Sequence, residues 1–180
     1  MPRLLLILLG FLASTLGPGQ LVTDRRADRA AKAQSEALRP PTADIELLVR
    51  QALEDCLAGH NLPDIALLGK ATSILIREEL PSAGLKLSRS ALPKRDGYDF
   101  RLISVPAARS EAERTHAPVY FITIDSPAIT GGMATIWLGV DVEFPRDPNR
   151  VQLCCCEGEG HFRRVDDRWT FVKWATMKCS

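Results

Sequence analysis

The sequence predicts an α+β domain in which an N-terminal amphipathic helix packs on a curved antiparallel sheet of about five to six strands. Three observations carry this. Apolar residues recur at helical spacing between Ile45 and Leu57. From Tyr98 onward the apolar period falls to two. Gly, Pro, Asn and Asp gather between the alternating stretches as turn chemistry. A helix first and strands afterwards places the helix on one sheet face.

The helix is the clearest element. Thr42 is read as its cap, and Asp44 and Glu46 set negative charge in the first turn, where the helix dipole favours it. Ile45, Leu48, Val49, Ala52, Leu53, Cys56 and Leu57 share one face, and Arg50, Gln51, Glu54 and Asp55 fill the other. Gly59 is read as a left-handed stop. Pro63 and Asp64 then open a short helix through Leu68, and Ser73 to Arg77 read as a strand. Pro81, Ser82, Gly84 and Pro93 bracket a loop-rich passage, and Arg109 to Arg114 read as a solvated loop or short helical turn.

Tyr98, Phe100 and Leu102 open the alternation, and Tyr120, Ile122 and Ile124 continue it. Ile136, Leu138, Val140, Val142 and Phe144 form a five-step apolar stripe, the mark of a half-buried strand. Ser126-Pro127, Gly131-Gly132 and residues 145–149 are read as the turns between strands. Val151 to Cys156 and Arg168 to Trp174 complete an antiparallel meander.

The rest of the chain bounds its class. There are 180 residues, with 23 Lys and Arg against 22 Asp and Glu, which suits one compact domain with a short appendage. A formal net charge of +1 lacks the basic footprint of a nucleic-acid binder. Residues 1–19 read as a signal peptide: Arg3 is their sole charge, Leu4 to Leu9 is an unbroken apolar run, and small and turn-forming residues follow. That run is shorter than the roughly 20 apolar residues of a bilayer-spanning helix, so no integral span is expected after its removal. Residues 20–42 read as a polar linker ending at Pro40-Pro41, and residues 43–180 as a single α+β domain. The expected location is periplasmic or secreted, where disulfides persist.

Cys154-Cys155-Cys156 is the least ordinary feature of the sequence. Asp166-Asp167 makes a two-residue hairpin turn that sets Phe162 opposite Phe171 and, in an unbroken register, Cys154 opposite Cys179. A one-residue bulge at Gly158-Glu159-Gly160 on the first strand instead moves Cys179 opposite Leu153, with Cys155 as its diagonal neighbour. Cys154 and Cys155 are therefore both candidates for a bridge to Cys179. Cys56 is a further possible partner or a buried thiol, and Cys156 is the candidate reactive thiol. Five is odd, so one thiol remains unpaired within a monomer or pairs between chains.

Sharper chemistries find little support in spacing. Cys154-x-Cys156 with His161, Glu157 and Glu159 offers soft metal ligands, but Cys156 and His161 lie roughly 16 Å apart along an extended strand. No Gly-x-Ser-x-Gly elbow accompanies His60, His116 or His161. Gly158-Glu159-Gly160 is no dinucleotide fingerprint, since no helix follows and two glutamates repel phosphate. Trp137, Trp169 and Trp174 suit either a ligand surface or core packing. No catalytic, cofactor-binding or metal-binding residue is assigned, and no cofactor is expected.

The order of elements resembles the cone-shaped NTF2-like and cystatin-like architectures, by fold analogy alone. That analogy implies a mouth holding a small apolar ligand beside the helix. The expected function is an exported, non-catalytic domain binding a small apolar ligand or a protein, stapled by at least one disulfide. Two alternatives stand beside it: a small NTF2-like pocket enzyme using Asp125 or Asp141 with a histidine, and a thiol or metal protein using the cysteine triplet.

Overall fold

A computed structural model describes residues 41–59, 61–69, 71–146 and 155–179. The expected leader, nearly all of the linker, His60 and Cys154 lie outside the described residues.

Helix α1 (Thr42–Ala58) buries Ile45, Leu48, Val49, Ala52, Leu53, Cys56 and Leu57, the face its periodicity predicts. Its ends differ from expectation. Thr42 already lies inside the helix, and the Pro41 carbonyl accepts the N–H groups of Asp44 at 3.0 Å and Ile45 at 3.2 Å. The extended ψ of Pro41 turns its carbonyl into the first turn, so no side-chain cap forms. Gly59 stays right-handed, with φ −81°, and extends the ladder by donating to the Asp55 carbonyl.

A 3-10 turn (Ile65–Leu68) leads into β1 (Ser73–Arg77). A small two-stranded sheet pairs β2 (Glu79–Leu80) with β3 (Leu85–Lys86). Then follow β4 (Asp99–Ile103), helix α2 (Val105–Thr115), β5 (Val119–Thr130), β6 (Met133–Glu143), β7 (Cys156–Val165) and β8 (Arg168–Cys179). The main sheet has six strands in the order β4-β1-β5-β6-β7-β8.

The sheet is mixed. β5 to β8 form an antiparallel meander, with β7 over Cys156–Val165 where a strand over Val151 to Cys156 was expected (residues 151–154 lie outside the described residues). β1 runs parallel to both β4 and β5. Parallel neighbours require crossovers. The passage from residue 78 to 98 supplies one, and α2 supplies the other by carrying the chain from β4 over β1 to β5. The polar segment expected to be a loop or short turn is thus an eleven-residue helix. Ser104 caps it through Ala107, and Pro106 sits in its first turn. Only Ala108 and Ala112 are buried from it, a weak apolar signal.

The two helices take opposite faces. The even-numbered stripe of β5 and β6, including Ile122, Ile124, Ile136, Leu138 and Val140, joins the α1 face in the main core. Phe121 and Val119 pack instead with Ala108 and Ala112 of α2.

Turn chemistry was legible in two places. Gly131-Gly132 joins β5 to β6, with only Gly131 at positive φ, as a type II′ hairpin requires. Asp166 and Asp167 both take positive φ between β7 and β8, the type I′ pattern. Ser126-Pro127, read as a turn, is instead a bulge inside β5 between Asp125 and Ala128. A bulge tolerates the missing N–H of proline.

Candidate functional site

The cysteines fall differently from the sequence expectation. Cys156 and Cys179 face each other across β7 and β8 and are joined by a disulfide. Neither Cys154 nor Cys155 is the partner of Cys179, and the candidate reactive thiol Cys156 is oxidised. The hairpin starts in the expected register, with Phe162 opposite Phe171 and their rings 5.5 Å apart, edge to face. Two register shifts then follow, and both insert the extra residue on β8, at Val172 and Ala175. The expected bulge lay on β7 and moved the register the other way.

Two glycines of β7 face this irregular stretch of β8. A Cβ at Gly158 would stand 2.6 Å from the Trp174 ring, and one at Gly160 would stand 3.2 Å from it. These glycines leave room for an indole from the neighbouring strand. Trp174 also touches Phe171 at 5.1 Å and donates its indole N–H to the Asn61 carbonyl at 2.9 Å.

Cys155 is also disulfide-bonded. Cys56 is a free thiol buried in the α1 face, and burial, with a smaller push from the Asp55 charge, raises it to about 12. His161 lies 3.3 Å from Glu159, and His116 ends α2 in a left-handed conformation. Trp169 is core, at 1% exposure, while Trp137 lies under the Lys178 ammonium at 4.3 Å. Among the described residues, no cluster of three or more His, Cys, Asp and Glu side chains could hold a metal ion.

Two concavities are formed by described residues. One, of about 390 Å³, is half polar in its lining and holds Arg77, Asp125, Asp141, Glu157 and Lys178 beside the Cys156–Cys179 bridge. Asp125 is committed there to structure. It accepts the Ser126 N–H at 2.8 Å, the Ser82 N–H at 3.2 Å and the Ser82 hydroxyl at 2.5 Å. Burial acts to raise its pKa. The hydrogen bonds from Ser82 and Ser126, helped by the Arg77 charge, win and hold it below the ordinary carboxylate value. This knot pins the β5 bulge to the loop after β2.

The second concavity, of about 460 Å³, is built differently. Leu57 at the end of α1, the 3-10 turn, Ile74 of β1 and Phe100 of β4 wall it with apolar surface. Tyr98, just before β4, stacks on Phe100 with ring centroids 6.0 Å apart and remains 40% exposed. Arg95 is the one charged residue among the described residues lining it. A cavity of this size, mostly apolar with few polar groups, matches small-molecule sites in general.

None of the three tryptophans lines this cavity, nor, among the described residues, does any cysteine or histidine that the sequence singled out. Tyr98 and Phe100 were read only as strand alternation. The available signal was Arg95-Asp96-Gly97-Tyr98, a turn that sets an exposed aromatic at the mouth of a strand. No known protein family, curated protein or solved structure matches this chain.

Proposed function

We propose that this is an exported, non-catalytic binding domain that takes the apolar body of a small ligand into the cavity between α1, the 3-10 turn and the β1–β4 edge. One observation carries the reading: a concavity of about 460 Å³ whose walls are mostly apolar and whose mouth carries Tyr98 stacked on the wall residue Phe100. Tyr98 keeps 40% of its surface exposed, and a ligand body seated at the mouth gains by covering it. Export is supported by the greasy leader in the sequence and by the Cys156–Cys179 bridge, a bond that persists in oxidising compartments. The non-catalytic reading is supported by Asp125, whose carboxylate is spent on Ser82 and Ser126.

The test uses the full protein with its disulfide formed and a neutral fluorescent probe, N-phenylnaphthylamine. Saturable binding is expected. Ala71→Trp, at an exposed lining position, fills the cavity and is expected to weaken binding at least about tenfold without changing the circular dichroism spectrum. Absence of saturable binding, or equal binding by the Trp variant, overturns the proposal.

A further inference from the structure

We infer that the ligand is an amphiphilic anion, an apolar body bearing one carboxylate, sulfonate or similar group, which Arg95 binds at the mouth of the cavity; this rests on the cavity being the binding site.

The position of Arg95 follows from its turn. The Tyr98 N–H donates to the Arg95 carbonyl at 3.2 Å, and Gly97 takes φ +83°. That is the pattern of a type II turn, which needs a residue tolerant of positive φ in third place. The turn sets first and fourth residues side by side, and the Arg95 guanidinium lies over the Tyr98 ring at 5.1 Å. The ring holds the cation in place through its face and takes none of its five N–H donors.

Ion pairing among the described residues leaves Arg50, Arg89, Arg95 and Arg163 without a carboxylate, and of these Arg95 lines the cavity. Arg101 is paired with Asp99, Arg77 with Glu79, Arg109 with Glu143 and Arg168 with Asp55. No carboxylate among the described residues pairs with Arg95, although Asp96 is its neighbour in sequence. With Asp99 neutralised by Arg101, the charges left on this loop are Lys94, Arg95 and Asp96, a net positive mouth. An unpaired guanidinium rimming an apolar cavity complements a ligand with a greasy body and a planar anionic end. The other described lining side chains are uncharged and offer such a group no repulsion.

The experiment compares two probes of similar body, anionic anilinonaphthalene sulfonate and neutral N-phenylnaphthylamine, on wild type, Arg95→Gln and Arg95→Lys. Arg95 is exposed, so neither substitution disturbs the core. Wild type is expected to bind the sulfonate about tenfold more tightly than the neutral probe. Arg95→Gln is expected to bring the ratio of the two affinities to about one, with Arg95→Lys in between. Added salt weakens the sulfonate alone. Equal binding of both probes by wild type, or a preference surviving in Arg95→Gln, overturns the anion inference while the cavity reading stands. Failure of both probes to bind overturns both.

Discussion

Asp55 accepts the backbone N–H of Phe171 at 2.9 Å, across 116 positions of sequence. One turn earlier on α1, Gln51 accepts the Trp169 N–H at 2.7 Å. β8 ends the sheet order, so these N–H groups lie on an edge with no strand beyond it among the described residues. The polar side of α1 therefore does more than face water: it satisfies part of an edge that would otherwise pair with another chain. Arg168 closes the arrangement with Asp55 at 3.1 Å and Glu54 at 3.4 Å.

Removing that acceptor exposes its value. Asp55→Ala strands the part-buried Phe171 N–H and is expected to cost about 1–3 kcal/mol in urea unfolding. Asp55→Asn keeps an acceptor and is expected to cost less. An unchanged midpoint for Asp55→Ala would show that water replaces the carboxylate without loss.

The disulfide and the buried thiol make opposite predictions. Cys156 and Cys179 are 23 positions apart, and constraining a loop of that size stabilises by roughly 3 kcal/mol. Replacing both by serine is expected to lower stability by that order. Cys56 is expected to resist alkylation at pH about 8 in the native state and to react fully in denaturant, because burial holds it protonated at about 12. Peptide-resolved labelling of native protein at Cys56 would contradict the buried placement.

Glycine substitutions should separate by what stands nearby. A Cβ at Gly139 would meet the Cys156 carbonyl oxygen at 2.7 Å and the Glu157 Cα at 2.9 Å. Backbone cannot move aside as a side chain does, so Gly139→Ala is expected to cost about 1–3 kcal/mol or more. Gly132 has nothing within 4 Å and lacks a positive φ, so Gly132→Ala is expected to be near neutral. Equal thermal stability of the two variants would contradict the tight pairing of β6 with β7.

Glu46 supplies a pH test. The Ser90 hydroxyl and then, against the opposing effect of burial, Ser88 hold its carboxyl below the ordinary value. A depressed carboxylate stabilises the fold fully above its unfolded pKa near about 4, and that contribution fades as pH falls through the lower folded value. The stability difference between wild type and Glu46→Gln is therefore expected to be constant above pH about 5 and to shrink below it. A difference independent of pH down to pH about 2 would rule out this linkage.

Sequence periodicity was most reliable where neighbours in the chain are neighbours in space. The seven buried residues of α1, the alternation of β6 and the Asp166-Asp167 turn are all local patterns. The same local logic misread Gly158 and Gly160. Their lack of a side chain leaves room for Trp174, a residue of another strand, and the two bulges on that strand carried Cys179 to Cys156. It also missed α2, whose burial of Ala108 and Ala112 needs Phe121 from β5 to make sense.

The cavity lay further from view. Leu57, Ile74, Phe100 and Arg95 come from a helix, two strands and a turn, and no spacing in the chain relates them. The amino-acid order determined the helix face, the strand alternation and the turn residues, because these depend on side chains a few positions apart. Tertiary structure alone decided the parallel place of β1, the partner of Cys179 and the cavity beneath Tyr98. Each of these depends on which distant surfaces exclude water together, and that is settled only when the whole chain packs.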